Sequence, residues 1–84
     1  MNNVVMRNIA VAAAYQPLSD RKLVASVTLA CPPTNKKTVY FRGDDGSDVP
    51  WVPGEWHEFW SVNLNEIVVK GTAPDVVTVI GGTW

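Results

Sequence analysis

At 84 residues, with seven basic and eight acidic side chains and a net charge of −1, the chain has room for one small domain. It lacks the basic stripe of a nucleic-acid binder, and no apolar run approaches the roughly 18 residues of a membrane span. Its single cysteine, Cys31, excludes an internal disulfide. A domain this small buries only about 60% of its unfolded surface. With no disulfide and no cluster of metal ligands in the sequence, partner subunits are the expected supplement.

Met1–Asn8 is a mixed lead-in, expected to act as an N-terminal anchor segment ahead of the single β domain that residues 1–84 form. Ile9–Tyr15 reads as a first strand, too short for a stable helix and stopped by Pro17. Ile9–Ala14 behind Arg7 has the polarity of a short signal core. Gln16, Pro17 and Asp20 follow without a cleavage site, so no cleaved leader is expected. Leu18–Arg21 is a turn. Lys22–Ala30 is the clearest strand, with Leu23, Ala25, Val27 and Leu29 on one face and Val24, Ser26, Thr28 and Ala30 on the other. Cys31-Pro32-Pro33-Thr34-Asn35-Lys36 ends it, because the two prolines forbid continuation and Asn35 suits a turn. Lys37–Arg42 is the next strand, with Val39 and Phe41 sharing a face, and Gly43–Asp48 is a loop of turn residues.

The stretch Val49–Trp60 holds three of the four tryptophans, two prolines and the only histidine. Pro50 and Pro53 cannot donate to a ladder, so Val49–Gly54 is expected at a sheet edge or in a bulged connection. Pro53-Gly54 is a turn, and Glu55–Ser61 is the strand that leaves it, with His57 and Phe59 on one face and Trp56, Glu58 and Trp60 on the other. Val62–Asn65 is a bend, Glu66–Lys70 a short strand, Gly71–Asp75 a turn, Val76–Ile80 the last strand, and Gly81–Trp84 closes the chain. Six or seven short strands at spacings of about 8–12 residues predict an all-β fold, a small antiparallel β-sandwich or jelly-roll-like barrel. The inward set is predicted to include Leu23, Val27, Leu29, Val39, Phe41, Phe59, Ile67, Val69, Val77 and Val79.

No constellation of catalytic residues stands out, and no enzyme is expected. His57-Glu58 opens a zinc-type His-Glu-x-x-His pattern, but position 61 is Ser61 and the segment reads as strand. Asp44, Asp45 and Asp48 could offer oxygens to calcium, yet they lack the alternating ligands and distal glutamate of an EF-hand, and solvated turn aspartates are commoner. Arg42-Gly43-Asp44 spells an integrin-type tripeptide that turn chemistry explains equally well. No glycine elbow surrounds any serine, and Cys31 precedes two prolines with no activating neighbour. No metal and no cofactor are expected. The tryptophans are the stronger signal: if Phe59 faces the core, Trp56 and Trp60 face outward and need cover. That cover is a protein partner, a sugar stacked on the indoles, or another part of the same chain.

The second half of the chain has a recognisable order of turns and alternations: Gly43–Asp48, then Val52-Pro53-Gly54-Glu55, Phe59, Val62-Asn63-Leu64, Ile67–Thr72 and Asp75–Gly82. It resembles small β-sandwich accessory proteins encoded among the structural genes of tailed bacteriophages and prophages. Many of those proteins carry aspartate in the Val-x-Leu bend, where this chain carries Asn63. The resemblance implies a non-enzymatic virion protein, made in the host bacterial cytoplasm, foremost a capsid decoration or cement protein on the outer surface of the head. Its partner would be the major capsid protein or another shell protein, with no role for nucleic acid or membrane. It also implies a homo-oligomer, with a trimer favoured because such proteins often occupy local three-fold axes. The alternative is a small tail or fibre component that binds carbohydrate or a receptor. The residues expected at the protein interface are Met1, Asn2, Asn3, Val4, Val5, Trp51, Trp56 and Trp60.

Overall fold

The structure is a computed structural model and describes residues 3–83. Eight strands run in chain order: β1 (Val4–Ala10), β2 (Gln16–Pro17), β3 (Val24–Ala30), β4 (Val39–Arg42), β5 (Val49–Trp51), β6 (Trp56–Asn63), β7 (Val68–Lys70) and β8 (Val76–Gly82). They form two four-stranded sheets, β1-β8-β3-β6 and β2-β7-β4-β5, in which every pairing is antiparallel. The chain passes between the sheets at every connection but the β4–β5 hairpin, so all the other loops stitch one layer to the other. The fold is all-β, with two antiparallel sheets facing each other as in a small β-sandwich.

The alternation that defines the strands also defines the core. Val27, Leu29, Val39, Phe41, Val69, Val77 and Val79 are buried, and Leu23, Phe59 and Ile67 pack against them. All ten predicted inward residues therefore lie in or against the core. Val5, Val11, Leu18, Ala25, Cys31, Trp51 and Leu64 complete it. The two prolines act as expected: β5 is an edge strand of the second sheet, and Gly54 turns the chain at φ 94° before β6.

The N-terminal part departs from the sequence reading. The first strand is Val4–Ala10 and not Ile9–Tyr15. Pairing with β8, from Val4 opposite Gly82 to Ala10 opposite Val76, selects this register. The alanines that follow offer too little apolar surface to hold a strand against a layer. Most of the supposed anchor segment is thus an integral strand. Asn3 is tied to the chain's other end, its N–H donating to Thr83 Oγ1 at 2.8 Å and its carbonyl accepting from the Thr83 N–H at 3.0 Å.

The last strand also runs past Ile80 to Gly82. Ala25 faces Val62 and Val27 faces Phe59, so Trp60 and Ser61 of β6 together oppose Ser26 of β3 and form a bulge in β6. A Cβ on Gly81 would collide with the Ser26 carbonyl and stand 2.7 Å from Val27 Cα, so only glycine fits there. Within the bulge, Ser61 takes a left-handed φ of 52°, and its N–H donates to Ser26 Oγ at 3.0 Å. Beyond it, Asn63 Oδ1 accepts from the N–H groups of Asn65 and Leu23, both at 3.1 Å, which starts the 3₁₀ turn Leu64–Glu66.

Candidate functional site: the outer face of the first sheet

Registers across the first sheet assemble its outer surface in rows. One row runs Asn8, Thr78, Ala30, Trp56, and the next runs Met6, Ile80, Thr28, Glu58. The third brings Val4, Gly82 and Ser26 alongside Trp60 at the bulge. Strand parity dictates who points out: Val77, Val79 and Phe59 face the core, so Ile80, Trp56 and Trp60 face away. Trp60 is 70% exposed, Trp56 58%, Met6 71%, Ile80 54% and Val4 69%. Between Trp60 and Ile80 lies a shallow groove floored by Ser26 and Thr28 and flanked by Glu58. Glu58 is the one charged side chain in these rows. Large apolar side chains gathered on one sheet face are a surface that water covers poorly.

The outer side of the second sheet is different. There Tyr15 lies across β4 and β7, with the Arg42 guanidinium 4.1 Å and the Lys70 ammonium 4.9 Å from its ring centre. Asp48 holds the group together, accepting from Tyr15 Oη at 2.5 Å and Arg42 Nε at 2.8 Å, with Lys70 Nζ at 3.8 Å. These hydrogen bonds, from Tyr15 first and Arg42 second, keep the Asp48 carboxyl below its usual range. Desolvation and the adjoining Asp48 push the Tyr15 phenol up. This face is internally satisfied and polar, in contrast to the apolar outer face of the first sheet.

Two of the predicted interface residues lie elsewhere. Trp51 is 5% exposed, because its register with Val39 turns it inward. There its ring stands 4.0 Å from Phe41, 4.8 Å edge-on from His57 and 6.4 Å from Phe59. Val5 is buried too, at the inward position opposite Gly81. Both are core residues. Asn3 and Val4 are exposed, Trp56 and Trp60 stand together on the outer face, and Met1 and Asn2 lie outside the described residues. Met6 and Ile80 belong to the face although the sequence reading did not name them. Ile80 was legible from the inward parity of Val77 and Val79. Met6 was not, since its strand is fixed only by pairing with β8.

The other polar groups are engaged locally. His57 Nε2 meets Glu55 Oε2 at 2.7 Å, and this contact, with the Val52 N–H, lowers the Glu55 carboxyl from its ordinary value. Asp45 accepts from the Ser47 N–H at 2.9 Å, which likewise holds its carboxyl low. Arg42 of the Arg-Gly-Asp tripeptide is committed to Asp48. Among the described residues, no group of three or more His, Cys, Asp or Glu side chains is placed to hold a metal. Comparison with known proteins finds no matching family model, no matching curated protein and no matching solved structure.

Proposed function

We propose that this chain is a non-enzymatic structural protein of a bacteriophage virion, foremost a capsid decoration protein that docks on the outside of the head through the outer face of its first sheet. The observation that carries the docking is the gathering of Trp56, Trp60, Met6, Ile80 and Val4, all more than half exposed, on one side of a domain whose other side is polar. The virion assignment rests on the resemblance of residues 43–82 to phage accessory proteins. On this reading the protein works as a homo-oligomer, with a trimer favoured, assembled on a shell of major capsid protein.

The test is binding to purified shells by Trp56→Ala/Trp60→Ala and by Met6→Gln/Ile80→Thr, each shown first to keep its melting temperature. Truncating a tryptophan hot spot costs about 2 kcal/mol or more, or about thirtyfold in affinity. Folded variants that bind as tightly as the parent refute this face as the anchor.

A second reading has its own support. Trp56 and Trp60 flank Glu58 on one strand, about 13 Å apart at ~3.3 Å per residue, with ring faces suited to pyranose stacking and a carboxylate between them to accept hydroxyls. Glu58→Gln separates the two: it weakens a sugar and leaves shell docking intact.

A further inference from the structure

The four sheet edges are not alike. In the second sheet they are closed by proline: β2 has two residues including Pro17, and β5 has three including Pro50. In the first sheet, β1 turns a charged side chain inward, with Arg7 Nη1 donating to the Leu18 carbonyl at 3.1 Å, and the Gln16 side-chain amide holds the Ala10 carbonyl at its end. The stretch Trp56–Phe59 of β6 carries neither device and pairs regularly with β3, up to the bulge at Trp60 and Ser61. Its backbone polarity follows from one bond. The Cys31 N–H donates to the Glu55 carbonyl at 2.8 Å, so residues sharing Glu55's parity, His57 and Phe59, turn their N–H and C=O toward β3. Trp56, Glu58 and Trp60 turn theirs to the open side.

Beside that open edge the two layers part. An apolar cleft of about 190 Å³, lined by Phe41, Val49, Trp51, Phe59 and Ile67, opens between β6 and the second sheet. Asp44 and Glu66 stand with Phe59 and Ile67 where it continues outward. Arg42, which also lines the cleft, is already held by Asp48. On the outer side Glu58 lies between the two tryptophans. The edge therefore combines unpaired backbone groups, an apolar slot and carboxylates on both sides.

We propose that the β6 edge is a strand-addition site for an extended, basic and apolar segment of another protein. The added strand pairs antiparallel with Trp56–Trp60 and bonds the free N–H and C=O groups of Trp56, Glu58 and Trp60. Its inward side chains, aliphatic, fill the cleft over Phe59 and Ile67. Its outward side chains, lysine or arginine, lie beside Glu58 and over the indoles. A second copy of this chain is the poorer occupant, because pairing β6 with itself would bring two sets of Glu58, Asp44 and Glu66 together. The proposal does not depend on the virion reading, and the outer face and the edge are separable by mutation.

The test uses the ¹⁵N-labelled full chain and the peptide acetyl-Lys-Val-Lys-Leu-Lys-Val-Lys-amide. Titration is expected to shift Trp56–Trp60 and Ile67 and to slow amide exchange at Trp56, Glu58 and Trp60 by about tenfold or more. Glu58→Pro removes an outward N–H that the β3 pairing does not use, and it should lower affinity by about tenfold or more. Glu58→Thr keeps that N–H and should cost no more than about fivefold. Asp44→Lys/Glu66→Lys should weaken the lysine peptide and favour a counterpart with glutamate at the lysine positions. Should Glu58→Pro not fold, N-methylation of the peptide at its lysines, whose N–H groups face β6, must abolish binding, while N-methylation at valine and leucine must not. Trp56→Ala/Trp60→Ala should lose shells under the docking proposal above yet still protect the Glu58 amide with peptide. Shifts absent from Trp56–Trp60, or Glu58→Pro binding like the parent, overturn the proposal. Concentration-dependent shifts at β6 without peptide overturn it in favour of a second copy.

Discussion

Asn35→Ala probes the clamp that sets the start of β8, the strand that carries Ile80 onto the outer face of the first sheet. Asn35 is 7% exposed. Its Nδ2 donates to the Val76 carbonyl at 2.7 Å and lies 3.2 Å from Cys31 Sγ, while its Oδ1 accepts from the Val76 N–H at 3.0 Å. The side chain thus behaves as an extra rung of the ladder, answering both backbone groups of Val76. Truncation removes two bonds worth about 1 kcal/mol each and leaves a half-buried donor and acceptor without partners, for a total of about 2–4 kcal/mol. A domain of this length holds only about 4–13 kcal/mol in all. At about 4–8 °C per kcal/mol, the melting temperature should fall by at least about 8 °C. Thermal and urea unfolding followed by circular dichroism measure this, with an unchanged urea m-value confirming the same two-state transition. Asn35→Asp keeps one acceptor but sets a carboxylate oxygen against the Val76 carbonyl in a nearly buried site, so at neutral pH it should lose at least as much as Ala. A drop below about 4 °C for Asn35→Ala would mean that water answers Val76 freely and that the clamp contributes no more than a surface turn.

Gly81→Ala should destabilise by about 3 kcal/mol or more in a urea melt, because its Cβ meets backbone of β3, a central strand held on both sides that cannot move aside. Gly43→Ala, with open space around its Cβ, should stay within about 0.5 kcal/mol of the parent, and equal effects at the two sites would refute the close-approach argument. Asp48 has a folded-state pKa below its unfolded value, so its contribution is present above the unfolded pKa and is lost as pH falls through the folded one. Asp48→Asn should therefore flatten the decline in melting temperature below about pH 4, and an unchanged slope would show the Tyr15–Asp48–Arg42 group to be without linkage.

Much of this fold was legible because it is written locally. A period of two at Leu23–Leu29, at Val39 and Phe41, and at Val77 and Val79 selects inward faces without reference to any partner, and Pro53-Gly54 dictates its own turn. The outward pair Trp56 and Trp60 followed from Phe59 by the same parity. Alternation separates two faces but does not say which strand lies beside which. That choice made Val4–Ala10 a strand, through pairing with a segment some seventy positions away, and made Gly81 a strand residue through the close approach of the β3 backbone at Ser26 and Val27. It drew Trp51 inside, since an edge strand's inward position is known only once β4 is set against it. The exposed apolar face is likewise a tertiary object, in which Met6, Ile80, Trp56 and Trp60 come from three strands that meet only when β8 and β3 fill the middle of the sheet. Local sequence fixes periodicity because each residue's neighbours are covalent; neighbours across a sheet are decided by burial summed over the whole chain.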